Sequence, residues 1–406
     1  MRTPWPLDLD LESVTIRSGS RGGIDVDVAS VEASRVEVVD CGGTAARLQL
    51  QGSSFRPAIT VVDSRFSDNL GAGLEIGGDL DAESLPPTIS GCLFERNAGS
   101  GLELRLPADC SRNTSVLNRG DGFRFTGAGT VNANIAAGNG AAGFVVEVGA
   151  DVDLRHNDAW MNHGPGYQGG DLDDNLEVDP HFCDPLRGDY HLTSSSLCAP
   201  TGPHGQIGAF GAACDASTVA IDVRPGSPEN IIGQGGVLPV AILSHRFFDA
   251  RRVDPTSIRL EGAQVLDRPR PLMRDVNGDG LVDFVAHVDA RALRIPPGSS
   301  TAQLEGFTLD GTPIQATDEI RLAGPRAPGA SALSVAPTAA LSLAIQSVRA
   351  LSNQIRVVLA LPSSEPASLE MFDLAGRRLA HHQLRLLSGS QEVELPLPTE
   401  GIYWLR

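Results

Sequence analysis

The chain has 406 residues with 45 Gly, 27 Pro and 20% charged residues, enough length for two or three domains and a composition of turn-rich β structure rather than helix bundles. Its 32 basic and 50 acidic residues leave a net charge of −18, which repels nucleic acid and anionic membranes and excludes both as expected partners. Every basic residue is arginine, so lysine Schiff-base and general-base chemistry are excluded as well.

In chain order, Met1-Arg2-Thr3-Pro4-Trp5 leads into no signal-peptide core, and no later run reaches the roughly 20 apolar residues that span a bilayer. Either the start is internal to a longer gene product or the protein stays inside the cell, and the first is the expectation. A repeat comes next. Asn69-Leu70-Gly71-Ala72-Gly73-Leu74 returns as Asn97-Ala98-Gly99-Ser100-Gly101-Leu102, Asn118-Arg119-Gly120-Asp121-Gly122-Phe123, Asn139-Gly140-Ala141-Ala142-Gly143-Phe144 and Asn162-His163-Gly164-Pro165-Gly166-Tyr167. These asparagines lie 28, 21, 21 and 23 residues apart, and five residues before each stands a second column, Ser64, Cys92, Asn113, Asn134 and Asn157. Alternating strands such as Leu102-Glu103-Leu104 follow each unit.

Such a period, holding period-2 strands and turn residues, is one coil of a solenoid whose equivalent positions stack about 4.8 Å apart. Asparagine suits the corners because it tolerates the left-handed backbone of a tight bend, and because its amide can donate to one neighbour while accepting from the other. Glycine is expected to follow where positive φ is required. Leu74, Leu102, Phe123 and Phe144 should stack inside, with Glu75, Glu103 and Arg124 facing solvent.

The pattern resembles the right-handed parallel β-helix repeat of pectate lyase-like and many bacterial surface proteins over residues 35–170, with Gly22-Gly23-Ile24 and Cys41-Gly42-Gly43 as degenerate coils upstream. A leucine-rich repeat is nearest on period alone, but its leucine spacing is absent. After the last coil, Asp179-Pro180-His181-Phe182-Cys183, Gly188-Asp189-Tyr190-His191-Leu192 and Ile207-Gly208-Ala209-Phe210-Gly211 read as a cap over the last strand edge, completing a domain at 1–215. The order of these phrases is similar to the closing segment of secreted bacterial β-helix proteins, which often carry a further cysteine where this chain has His204. Among Cys183, Cys198 and Cys214 two bridges stay open, Cys183 with Cys198 or Cys198 with Cys214, while Cys92 reads as a buried thiol.

Residues 216–325, with short strands such as Gly236-Val237-Leu238-Pro239-Val240-Ala241-Ile242-Leu243 at turn-punctuated spacing, suggest a β-sandwich that resembles an accessory domain of secreted bacterial repeat proteins. Inside it, Asp275-Val276-Asn277-Gly278-Asp279-Gly280-Leu281-Val282-Asp283 has the spacing of a Ca²⁺ loop. Asp275, Asn277, Asp279, the Leu281 carbonyl and Asp283 are the expected ligands, because their crowded oxygens would otherwise repel one another. The bidentate acid of a helical EF-hand is replaced by Ala286 and the flanks read as strands, so the loop resembles the structural calcium loops of extracellular β-hairpins.

Residues 326–338 have the small-residue and proline content of a linker. In 339–406, Ile355–Leu359, Ala367–Asp373, Gln391–Leu395 and Gly401–Leu405 read as strands, with a hairpin turn at Leu374–Arg378, an immunoglobulin-like plan. The phrase Phe372-Asp373-Leu374-Ala375-Gly376-Arg377 and the strand Gly401-Ile402-Tyr403 are similar to the sorting domain of type IX secretion. That resemblance implies an extracellular or cell-surface location, and the abrupt stop at Arg406 implies a truncated domain.

Polysaccharide lyases and glycoside hydrolases on a β-helix use clustered carboxylates. The last coil offers His156, Asp158, Trp160, His163 and Tyr167, followed by Asp171, Asp173 and Asp174; of these Asp158, His163, Asp173 and Asp174 are the catalytic candidates. Against catalysis, the aromatics suit packing, the Asp run suits a solvated loop, and no other coil collects acids in register. The sequence thus favours a monomeric, calcium-stabilised, all-β surface protein that is structural, adhesive or glycan-contacting rather than an enzyme. A polysaccharide or other cell-surface component is its expected partner. The alternatives are a carbohydrate-active enzyme of lyase or hydrolase type and the carbohydrate-binding module of a longer enzyme.

Overall fold

The computed structural model describes residues 7–51, 58–79, 85–169, 174–233 and 235–323, and the backbone of six strands between 344 and 405. The chain divides into two compact units, Met1–Pro325 and Arg326–Arg406. The structure is all-β: the described residues form no α-helix, only the 3-10 turns Pro185–Arg187 and Ala250–Arg252 beside the strands. No helix among them is long and apolar enough to cross a membrane.

Each coil of the solenoid visits three parallel faces. The first face stacks Ala46–Leu50, Leu74–Gly78, Leu102–Leu104, Phe123–Phe125, Phe144–Val146 and Tyr167–Gln168. The second stacks Ile59–Val62, Thr88–Ser90, Ala108–Ser111, Gly129–Asn132 and Val152–Arg155, and Ile24–Ser34 runs unbroken through both. The third runs from Thr15–Arg17 and Glu37–Val39 through Arg65–Ser67, Leu93–Glu95, Thr114–Val116 and Ile135–Ala137 to Asp158–Trp160. Coils therefore extend upstream to Leu7–Glu12, beyond the degenerate pair seen in the sequence. Inside the first face, Leu74, Leu102, Phe123, Phe144 and Tyr167 stand in register, and the Phe123, Phe144 and Tyr167 rings stack at 5.0 and 5.1 Å.

Both corner columns are hydrogen-bonded ladders. Asn69 donates to the Oδ1 of Asn97 at 2.9 Å, Asn97 to Asn118 at 2.9 Å, Asn118 to Asn139 at 3.0 Å and Asn139 to Asn162 at 2.9 Å. The second ladder runs Asn113, Asn134, Asn157 and then Asn175, a rung the repeat spacing did not reveal. Two expectations about the corners need correction. The left-handed residue is the one before each ladder asparagine, as at Asp68, Arg96, Leu117 and Met161, because the asparagine side chain must point inward from extended backbone to meet its neighbours. Nor do Gly73, Gly101 and Gly122 have positive φ: a Cβ there would lie 2.5, 2.7 and 2.6 Å from the carbonyl oxygen of the adjacent coil, so backbone crowding excludes any side chain. Glu75 also departs from expectation, being 7% exposed because Arg47 and Thr44 lie over it.

The segment expected to close the solenoid end runs instead along the outside of the third face. Phe182, Tyr190, Leu192, Cys198 and Ile207 bury the outward residues Leu93, Val116, Ile135 and Ala137. Gly208 donates to the Ala133 carbonyl at 2.8 Å, and the Tyr190 hydroxyl to the fully buried Glu95 at 2.7 Å. The third face carries apolar residues at its outward positions as well, which makes lateral covering more favourable than end closure. Within this segment Phe182–Asp184, Asp189–Thr193 and Ala212–Cys214 form a small sheet. Cys183 is bridged to Cys214, not to Cys198, correcting both pairings above: the two partners flank the central strand at Leu192, while Cys198 is a free thiol buried beside Asp158. Cys92 is a buried free thiol as expected, its pKa pushed up to about 12 by burial.

From Ser217 onward two sheets close on one apolar core that includes Val223, Ile242, Leu260, Phe284, Leu304 and Ile314. One sheet holds Ser217–Thr218, Pro313–Glu319, Thr301–Phe307, Arg259–Leu260 and Ala263–Gln264, and the other Ala220–Val223, Val237–Leu243, Asp283–Asp289 and Leu272–Arg274. The second unit contains two antiparallel three-stranded sheets, Ala344–Leu351 with Gln354–Leu361 and Gly389–Pro396, and Arg378–Gln383 with Ser368–Phe372 and Trp404–Leu405. The linker at 326–338, the turn at 373–377 and residues 401–403 lie outside the described residues.

Candidate functional site

The outer side of the first face carries alternating charges that neutralise one another. Glu75 accepts from Arg47 at 2.9 Å and lies 3.6 Å from Arg105, which also contacts Glu103 at 3.2 Å. Arg124 pairs with Asp121 at 2.5 Å and with Glu147. Burial alone would raise the Glu75 pKa, but hydrogen bonds from Arg47 and Thr44 outweigh it and hold the carboxyl below its ordinary value. Glu75 so paired lacks the raised pKa that a general acid requires.

The last-coil candidates do not come together. Asp158 projects from the third face into the layer beneath the covering segment and is 0% exposed. Its Oδ1 accepts the Val178 N–H at 3.0 Å, and burial pushes its pKa up to about 8 despite hydrogen bonds from Val178 N–H and the Cys198 thiol. His163 is exposed beside the first-ladder corner, and Asp174 is exposed at the other corner, with φ 63° just before Asn175. Asp171 and Asp173 lie outside the described residues. Tyr167 packs on Phe144 with its hydroxyl on the carbonyls of Asn157 and Leu176, Trp160 packs beneath the covering segment, and His156 stacks on His204 at 4.6 Å.

The loop at 275–283 is held by its own backbone. Asp275 accepts N–H bonds from Gly278 at 2.7 Å and Gly280 at 2.9 Å, which lower its pKa, and both glycines have positive φ, 80° and 88°. Asp279 accepts from Leu281 N–H at 2.8 Å and from the Asn277 amide at 2.9 Å. Asp283 is fully buried, its oxygens on Ser244 N–H at 2.8 Å and Val276 N–H at 2.9 Å, so it anchors the base of the loop. Asp275, Asn277, Asp279 and the Leu281 carbonyl remain on the exposed side, a hard-oxygen donor set that suits Ca²⁺. Among the described residues no cluster of three or more His, Cys, Asp or Glu side chains is arranged to hold a metal.

A small recess of about 30 Å³, lined by polar and apolar side chains and missed in the sequence, lies between the covering segment and the two-sheet region. Arg252 reaches Asp310 and lies 3.8 Å from Asp179, while His181 Nε2 meets the Thr312 hydroxyl at 3.1 Å. Burial raises the Asp179 pKa against the opposing pull of His181 and Arg252. His245 is pushed down to about 4 by burial; its Nδ1 accepts from Phe247 N–H at 3.2 Å, which leaves the hydrogen on an unpartnered Nε2. The 131 residues between His181 and Thr312 leave no spacing signal for this recess. Its polar groups mostly satisfy one another, which makes it a clasp between the two regions.

A family model described as the right handed beta helix region matches residues 8–171, the span of the coils. The solenoid is thus a right-handed parallel β-helix of repeat type. No curated protein matches the chain.

Proposed function

We propose that this is a secreted or cell-surface, non-catalytic β-helix protein that serves a structural or adhesive role and contacts glycans. The observation that carries the reading is the first face, where Glu75, Glu103, Asp121 and Glu147 are each paired with an arginine instead of converging as free carboxylates. In this reading residues 216–325 are a β-sandwich accessory domain whose 275–283 loop takes Ca²⁺ through Asp275, Asn277, Asp279 and the Leu281 carbonyl, with Asp283 at its base. Residues 339–406 are the immunoglobulin-like sorting-type module that directs export. The test is incubation of the calcium-loaded protein with neutral and acidic polysaccharides, followed by assays for new reducing ends and unsaturated products. Retention on a glycan matrix with no product is expected; product formation lost on Asp158→Asn or Glu75→Gln would overturn the non-catalytic reading.

A further inference from the structure

Beside the 3-10 turn Pro185–Arg187, the outer surface of the five-stranded sheet forms one side of a groove of about 690 Å³. Its floor is a two-by-two patch of outward side chains: Gln303 lies opposite Thr317, and Glu305 opposite Gln315. Such neighbours stand about 5 Å apart across strands and about 7 Å along them. Leu186, 55% exposed, and Arg294 also line the groove.

The contrast with the first face of the β-helix is in hydrogen bonding. There the charged side chains are consumed by one another, whereas the side chains of Arg294, Gln303, Glu305, Gln315 and Thr317 have no hydrogen-bond or ion-pair partner among the described residues. Glutamine amides and a threonine hydroxyl both donate and accept, glutamate accepts and arginine donates. A sugar hydroxyl also does both, so a row of hydroxyls matches this set better than a ligand with one polarity. An apolar C–H face would rest on Leu186.

We infer that this groove binds a neutral oligosaccharide, an inference that rests on the glycan-contacting reading above and gives it a location off the β-helix. Neutrality follows from the lining: Asp184, Glu261 and Glu305 outnumber Arg187 and Arg294, and the chain carries −18 overall, so a polyanion is repelled. A peptide fits less well. Floor strand Thr301–Phe307 is paired on both edges at Leu304 and Glu305, and Glu261 takes the Gln303 N–H and carbonyl, so no continuous main-chain edge is free at the floor for strand addition.

The experiment is affinity electrophoresis of the full chain through native gels containing soluble β-glucan, mannan, dextran or an acidic polysaccharide. The double variant Gln303→Ala/Gln315→Ala and the blocking variant Thr317→Arg alter exposed floor positions, while Glu103→Ala/Arg105→Ala alters the first face. Wild type is expected to be retarded by at least one neutral glycan, with affinity at least tenfold weaker in both floor variants, unchanged in the first-face variant, and all melting midpoints preserved. Retardation lost only in the first-face variant, or seen only with the acidic polysaccharide, overturns the groove and leaves glycan contact standing. Retardation by none of them overturns both.

Discussion

The β-helix and the two-sheet region that follows it treat buried polarity in opposite ways. In the β-helix, asparagines with 0 or 1% exposure line both corners, and each is bonded to the neighbouring coils as well as, at Asn69, Asn118 and Asn134, to its own. The two-sheet region carries no such ladder: an apolar cluster fills the space between its sheets, single buried polar groups such as Asp283 are bonded to one or two partners, and the 275–283 loop bonds largely to itself. Stability in the first is therefore transmitted along an axis, whereas in the second it is local.

The sharpest break of that comparison is Asn118→Ala. Asn118 Oδ1 accepts from both the backbone N–H and the amide of Asn97, and its own amide serves Asn139 and the Phe94 carbonyl. Each buried group left unpaired costs about 1–3 kcal/mol, so urea unfolding should show a loss of about 3–5 kcal/mol. A loss under about 1 kcal/mol would mean that the ladders do not couple the coils.

Next comes the joint between the two regions. Replacing Cys183 and Cys214 by serine opens a loop of 31 residues, and a loss of about 3.7 kcal/mol is expected from the unfolded-chain entropy regained. Cys198→Ser should cost less, since that thiol is unbridged. If thermal melts rank the two the other way, the covering segment is held by the Cys198 environment rather than by the bridge.

Asp158 gives the β-helix side a pH signature of its own. Its folded pKa is raised to about 8 from an ordinary 3.8, so its contribution is full below about pH 4, falls as pH rises, and is gone above about pH 8. Asp158→Asn keeps the acceptor for Val178 N–H and removes the ionisation. We expect a flatter stability curve between pH 4 and 8 and a gain of several kcal/mol over wild type at pH 8. Parallel curves for the two proteins would show that the carboxyl is not buried in solution.

Different parts of this architecture were legible to different degrees. The coils were readable because stacking demands the same residue at the same place in every turn, so Asn97, Asn118 and Asn139 announce themselves. Asn175 escaped because the last interval shrinks to 18 residues. Asp158, His163 and Asp174 looked like one cluster because they are close in the chain, but three residues suffice to turn a corner, and the pleat sends Asp158 under the covering segment. The covering segment was recognised and misplaced: its phrases mark an apolar layer, while the surface it needs is the outward row Leu93, Val116 and Ile135, which reads as core from sequence. The recess and the groove combine residues about 100 or more apart, and no local pattern encodes such meetings.

The smallest effect expected is on the local side of the comparison. If the 275–283 loop takes Ca²⁺, the ion gains its oxygens from a segment already folded by Asp275 on Gly278 and Gly280, so binding needs little reorganisation and adds stability only through mass action. At ten times Kd that is about 1.4 kcal/mol, a melt shift of a few degrees. Asp279→Ala should abolish the shift while barely moving the melt in chelator, because Asp279 is exposed and its bonds to Leu281 N–H and the Asn277 amide are replaced by water. Titration calorimetry on both proteins decides the matter. A calcium-dependent shift retained in Asp279→Ala would move the ion elsewhere in the molecule, and no shift in wild type would leave the loop as a self-bonded turn, with the two-sheet region stabilised by its apolar core alone.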